Sequence, residues 1–278
     1  MDESRGMEGV CLAHYTVQRS RVDVDLRHLQ DAGITTICRL NWGYADGAGT
    51  LPRPADRNAF TSAVVSSIRC GRGVDYWHVG NEPNNCQEWP GFGTNDEYAL
   101  TPEYVVDIYN DIWNQLPDSV KIGPPPLDPY YGPNSDNREW WRYFLRHIAG
   151  ADAIYLHAKT QTNDPGGVWS EEKFSDWPLQ WQYLHLRTVE TALADMSRHL
   201  EGSTPVFVTE CNPQHLDASR QSLGWERGNA TWVHEACNYL HGVGIDGVCF
   251  YRYELAGDQA PFGLADKPEI LEAIKANV

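Results

Sequence analysis

Two glutamates in this chain of 278 residues stand where a carboxylate is unexpected. The stretch YWHVGNEPN (76–84) begins like a buried strand and stops at Asn81-Glu82-Pro83, and TPVFVTECN (204–212) stops in the same way at Glu210. A carboxylate that ends an apolar strand is either solvated or has a task. Taken alone, Asn-Glu-Pro reads equally well as a strand end followed by a turn, with its glutamate in water. A second glutamate in the same setting makes coincidence the poorer account. Two carboxyl groups that flank one bond match what glycoside hydrolysis requires. A protonated one donates to the leaving oxygen while an ionised one attacks the anomeric carbon. Two carboxylates about 5 Å apart repel, which raises the pKa of one and supplies the acid at neutral pH.

Such a pair needs a scaffold that brings distant strand ends together. Strand-like and helix-like segments alternate along the whole sequence. Strands are predicted over 9–16, 34–42, 74–80, 119–127, 152–160, 204–212 and 246–254, and helices over 23–32, 55–69, 102–116, 139–149, 180–200, 228–241 and 268–277. Gly33 sits where helices favour glycine, and Thr101-Pro102-Glu103 supplies cap, proline and acid in order. Nearly all-apolar strands between helices imply a parallel sheet covered by helices. No glycine-rich phosphate loop follows any strand, which weakens the open nucleotide-binding sheet. Polar residues gather at strand C-terminal ends: Arg39 and Asn41, Asn81 and Glu82, His157, Glu210 and Asn212, and 251–254. Barrel enzymes build their sites on that face. The expected fold is therefore α/β, a (β/α)8 TIM barrel, as a single catalytic domain over 1–278. Seven strands are counted instead of eight, so the first is missing or degenerate, or the chain begins inside a larger protein.

Composition narrows the partners. A net charge of −16 repels phosphate backbones and excludes nucleic acid as a partner class. No apolar run approaches the roughly 20 residues that span a membrane. The opening MDESRGMEGV lacks the layout of a signal peptide, so the expectation is a cytoplasmic protein or a piece of a longer secreted one. Seven cysteines without close spacing argue against a disulfide framework. Eleven Trp and fourteen Tyr suit a carbohydrate partner, because flat rings with a polar tip cover sugar faces. HEACN (234–238) lacks the second histidine of a zinc-protease motif, and no G-x-S-x-G elbow is present.

The strand ending in Asn-Glu-Pro, the Thr-Glu that ends a later strand and the Leu-His of YLHAK between them resemble glycoside hydrolase clan A, the (β/α)8 retaining hydrolases. The passage RLNWGY, a helix with Phe60, then WHVGNEPN is also similar to the third-to-fourth-strand passage of family 39-like members. The resemblance implies that Glu82 is the general acid/base and Glu210 the nucleophile, that no metal or organic cofactor takes part, and that Asn81 bonds a sugar hydroxyl. It makes 34–42 the third strand and 9–16 the second, so the first is the one missing. Two departures stand out. The clan often carries His-x-Tyr on strand six, where this chain has His157-Ala158-Lys159. It often ends strand eight on Trp, where this chain has FYRYE, leaving Tyr251 or Tyr253 to floor the sugar.

Around the two glutamates, the substrate-binding candidates are Asn81, Arg39, Asn41, Trp42, His157, Lys159, Tyr251, Tyr253, Trp89 and Trp169, with Trp177 on a loop of the same face. Each has a plainer role available: Arg39 as a structural ion-pair partner, His157 as a satisfied core histidine, and each loop Trp as a pin for its own loop. Lys159 either keeps Glu210 ionised or pairs with it and blocks attack. Two rival readings follow. One is a glycan-binding protein on a degenerate hydrolase barrel. The other is a domain of a larger cell-wall or phage-borne enzyme. The sequence leaves the sugar, the linkage and the oligomeric state open.

Overall fold

The fold was taken from a computed structural model, which describes residues 9–43, 47–130, 137–175, 180–196, 204–214, 224–226, 228–251 and 262–277. Within it the chain forms two compact units. The first comprises Val10–Tyr155 and Asp195–Pro205; the second comprises Leu156–Ala194 and Val206–Val278. Strand and helix alternate through both.

The first unit carries β1 (Val10–Thr16), α1 (Arg27–Gln30), β2 (Thr35–Asn41), α2 (Arg57–Cys70), β3 (Tyr76–Val79), α3 (Pro102–Trp113), β4 (Ile122–Gly123) and α4 (Asn137–His147). The four strands lie in sequence order in one parallel sheet. Its register sets His14, Arg39, His78 and Gly123 side by side across the sheet. β2 is buried along nearly its whole length, as expected of a strand covered on both faces. Thr101 caps α3 by accepting a hydrogen bond from the Tyr104 amide at 3.3 Å. At the strand starts, side-chain carboxylates take up loose amides: Asp75 accepts from Thr36 N, and Asp152 from Ile122 N.

The second unit begins inside β5 (Ile154–Thr160) and continues with α5 (Thr188–Met196), β6 (Val206–Pro213), α6 (Ala230–Gly242), β7 (Gly247–Phe250) and α7 (Pro268–Lys275). β5, β6 and β7 form a three-stranded sheet in which β6 and β7 are parallel. Trp232 of α6 is fully buried, and its indole N–H donates to Thr160 Oγ1 at the end of β5, 3.0 Å away.

Three predicted elements differ from those observed. The helix expected over 23–32 shrinks to Arg27–Gln30, because Asp25 forms a parallel bridge to Arg72 and Leu26 N bonds Arg72 O, holding that stretch extended. The strand expected over 119–127 is only Ile122–Gly123, because the three prolines that follow have no N–H to give a ladder. The helix expected over 180–200 is α5 alone among the described residues. Phe174 N bonds Gln182 O and Leu184 N bonds Glu172 O, so the stretch before α5 pairs as an antiparallel ribbon despite its helical periodicity. Seven strands are present among the described residues, the number read from the sequence. All seven cysteines are free thiols, and no described helix is long and apolar enough to cross a membrane.

Candidate active site

In the first unit, β3 ends at Val79 and the chain turns sharply into Glu82. Gly80 adopts a φ of +84°, which glycine allows at no steric cost. Glu82 itself has a φ of +39°, a left-handed conformation uncommon for a residue with a Cβ. Such strain persists only where the surroundings over-determine it, and it clusters at functional sites. Here the surroundings are specific. Glu82 N donates to Pro126 O at 3.0 Å, and Asn85 N returns to Glu82 O at 2.8 Å. The side chain is buried, and its Oε2 accepts from Asn85 Nδ2 at 3.1 Å.

Asn81 is held from both sides. The Arg39 guanidinium, 4% exposed, donates to Asn81 Oδ1 at 2.6 Å, and Asn81 Nδ2 reaches Glu88 Oε1 at 3.5 Å. Thr50 Oγ1 donates to the Asn81 carbonyl. Arg39 therefore holds the residue before Glu82 through a neutral side-chain amide. Asn41 is fully buried at the end of β2. Trp42 stands edge-on to Phe60 of α2, with ring centroids 5.9 Å apart. Trp89 is tied to the loop that follows Glu82, its indole N–H donating to Pro83 O at 2.7 Å.

The second unit holds the other glutamate. β6 and β7 run in register as far as Val208–Val248 and resume at Cys211–Phe250, so β6 carries an extra residue across Thr209 and Glu210. A bulge of this kind turns a side chain away from the regular pleat and is common beside active sites. Glu210 is buried, and its Oε2 lies 3.7 Å from His157 Nδ1 on β5. Lys159 follows two positions along β5, on the same strand face as His157, and is partly exposed. Tyr251 comes directly after β7. Its ring meets Phe262 edge-on at 5.8 Å, and its carbonyl accepts from Trp225 Nε1 at 2.5 Å.

Trp169 is placed elsewhere in this unit. Its indole N–H donates to Glu235 Oε2 at 2.6 Å, and its ring meets Tyr239 edge-on at 5.3 Å. Both partners are on α6, so the ring lies along that helix, half exposed. Tyr253 and Trp177 lie outside the described residues.

Sequence reasoning passed over Asn85 and Asp128. Asp128 is buried and shares the Asn85 amide with Glu82, since Asn85 Nδ2 also donates to Asp128 Oδ2 at 3.2 Å. Asn84 and Asp128 lock backbone to side chain reciprocally: Asn84 Nδ2 donates to Asp128 O, and Asp128 N to Asn84 Oδ1, both at 2.9 Å. The signal was present, because the stretch 119–128 ends on a carboxylate as 76–82 and 204–210 do.

No protein-family model and no curated protein matches the sequence. Solved structures do resemble the fold. A glucosidase from Croceicoccus marinus superposes with a TM-score of 0.61 at 14% identity, over 91% of this chain and 56% of its own. The GH39 enzyme from Xanthomonas axonopodis pv. citri does so with a TM-score of 0.54 at 13% identity, over 90% of this chain and 53% of its own. A GH128 (subgroup I) endo-beta-1,3-glucanase from Amycolatopsis mediterranei, in complex with laminaritriose and laminaribiose, gives 0.53 at 15% identity, over 98% and 100%. The chain thus spans only about half the length of the first two. The likeness shows an α/β fold of the TIM-barrel class, the one the sequence predicted.

Proposed function

We propose that this protein is a retaining β-glycoside hydrolase in which the whole chain serves as one catalytic domain. Glu82 is the general acid/base and Glu210 the nucleophile. The observation that carries this reading is the setting of the two glutamates. Both are buried, Glu82 just after β3 on a left-handed backbone and Glu210 at a bulge within the parallel strand β6. Burying two carboxylates and straining the backbone at one of them costs free energy that a structural role does not require.

In the first step Glu82 protonates the glycosidic oxygen while the Glu210 carboxylate attacks the anomeric carbon. The aglycone leaves and a glycosyl ester forms on Glu210. Glu82, now ionised, takes a proton from water as the water attacks the anomeric carbon, and the bond to Glu210 breaks to release the sugar and regenerate the carboxylate. His157 fixes the orientation of Glu210, and the Arg39–Asn81 pair fixes the approach to Glu82. Asn81, Asn41, Trp42, Trp89, Lys159 and Tyr251 supply contacts to a neutral glycan. Neither step calls for a metal or an organic cofactor.

β-1,3-Glucan oligosaccharides are the first substrates to test, since one structure of similar fold is an endo-beta-1,3-glucanase holding laminaritriose and laminaribiose. Other β-linked glucans and xylans follow. Hydrolysis is followed by product analysis, and proton NMR of the first-formed anomer reads retention or inversion. Glu82→Ala and Glu210→Ala are each expected to abolish turnover while the fold persists, with azide restoring turnover of an activated substrate as a glycosyl azide. A wild-type rate in either variant overturns the assignment. Glycan binding without any product would favour a binding protein on the same scaffold.

A further inference from the structure

The Asn85 amide sits between two buried carboxyl groups and cannot turn away from them. Its Oδ1 accepts the Gln87 amide at 3.0 Å, which fixes the side chain as the cap of a short 3-10 turn. Its Nδ2 must then face the other way, where it meets Glu82 Oε2 at 3.1 Å and Asp128 Oδ2 at 3.2 Å. One NH2 group has two hydrogens, so each carboxyl group takes one. Asp128 is itself held in place: its Oδ1 accepts from Tyr130 N at 2.7 Å, and its backbone is clamped by Asn84. Glu82, Asn84, Asn85 and Asp128 are all buried.

From this geometry we infer that Asp128 is a positioning residue for Glu82, acting through Asn85 to hold its carboxyl group in place and, by its own negative charge, to keep that group protonated at higher pH. The inference rests on the reading of Glu82 as the acid. A single amide cannot neutralise two carboxylates, so ionising the second one works against the first across a short buried gap. Tyr130 N also donates to Asp128 Oδ1. With Glu82 read as the acid, the negative charge falls to Asp128 and the proton to Glu82. Charged or titratable groups of the same unit near this turn include Arg39 and Glu88, both bonded to Asn81, and His78, buried in β3. Glu210 and His157 join them in the proposed reaction. None of these is altered by a substitution at Asp128.

The test compares the whole protein with Asp128→Asn, Asp128→Ser and Asp128→Glu. Serine can still accept the Tyr130 amide and does not present a second NH2 group to Asn85, so one neutral variant stays usable if the asparagine variant folds poorly. The Glu82 carboxyl carbon is titrated by 13C NMR and identified by its loss in Glu82→Gln. The neutral variants are expected to lower its midpoint by about 1 unit or more, and Asp128→Glu to hold it near wild type. A midpoint unchanged in both neutral variants overturns the inference, whether or not the protein hydrolyses anything. Turnover supplies an independent arm. With laminaripentaose, whose leaving group needs a proton, kcat should fall at least tenfold in the neutral variants. With a 2,4-dinitrophenyl β-glucoside, whose leaving group needs none, the formation of the glycosyl ester should change little. An equal loss on both substrates would mark Asp128 as merely structural. If neither glutamate variant affects turnover but the midpoint still moves, the proposed mechanism fails and the coupling stands.

Discussion

His157 Nδ1 lies 3.7 Å from Glu210 Oε2, with the imidazole side chain fully buried and the carboxylate 8% exposed. The two residues come from β5 and β6, neighbours in one sheet, and they meet where the bulge in β6 breaks the pleat. A carboxylate this buried needs a partner that is itself fixed, and a strand fixes a side chain more firmly than a loop does.

Replacing His157 by alanine should therefore do two things. It leaves Glu210 with one polar neighbour fewer in a buried position, which costs roughly 1–3 kcal/mol of stability. It also frees the nucleophile to take other rotamers, lowering kcat by about tenfold or more. Urea unfolding and steady-state kinetics of His157→Ala check both.

Arg39 carries its charge into a buried position and uses it on Asn81. Arg39→Ala strands the Asn81 oxygen and should cost about 1.5–3 kcal/mol, the range for a hydrogen bond to a charged group. Arg39→Lys should recover only part of that, because an ammonium lacks the planar fork of the guanidinium. The midpoint of chemical unfolding distinguishes the three proteins.

Glu190 of α5 offers a pH-dependent test. Burial pushes its carboxyl upward, yet the Arg187 guanidinium and the Tyr239 hydroxyl outweigh that and hold it below the ordinary value of 4.5. A carboxylate depressed in the folded state stabilises above its unfolded pKa and ceases to do so as pH falls through the folded one. Wild type should therefore exceed Glu190→Gln in stability at neutral pH, by no more than about 1 kcal/mol given the exposure of the pair. The gap should close as the pH falls from 4.5 downward. Thermal melts of both proteins across that range check the sign, and a gap that widens on acidification would contradict it.

The thiols should separate by burial. Cys70 is exposed, whereas Cys38, Cys211, Cys237 and Cys249 are buried. Desolvation pushes Cys237 up to about 12 and raises Cys38 and Cys211 well above the ordinary thiol value, so none of these three forms thiolate near neutral pH. Iodoacetamide at pH 8 should modify Cys70 first and reach those three only when the protein is unfolded, as read by peptide mass spectrometry.

Much of this was legible in the amino-acid order. Apolar runs such as TTICRLN and PVFVTE fix strand positions because only a covered parallel strand tolerates apolar residues on both faces. Thr101-Pro102 fixes the start of α3, because an N-cap is a local device that needs no distant partner. The polar residues in the C-terminal halves of strands, from Arg39 to Glu210, were visible for the same local reason. What depends on distant pairing was not. The stretch before α5 has the apolar period of a helix, but its Leu184 amide donates to Glu172 O and its Gln182 carbonyl accepts from Phe174 N, and two-stranded pairing prevails. Trp169 reads as a loop aromatic until Glu235 and Tyr239 draw it onto α6.

The same division runs through the candidate site. The sequence by itself determined which carboxylates interrupt or follow apolar strand runs, because hydrophobic periodicity and its interruption are properties of neighbours in the chain. Only the tertiary structure decided what each carboxylate meets. The left-handed backbone at Glu82, the bulge at Glu210 and the Asn85 amide shared with Asp128 each depend on groups that approach from another strand or loop. A hydrogen bond is short and directional, so its partner is settled by where the folded backbone places the two atoms, whatever their separation along the chain.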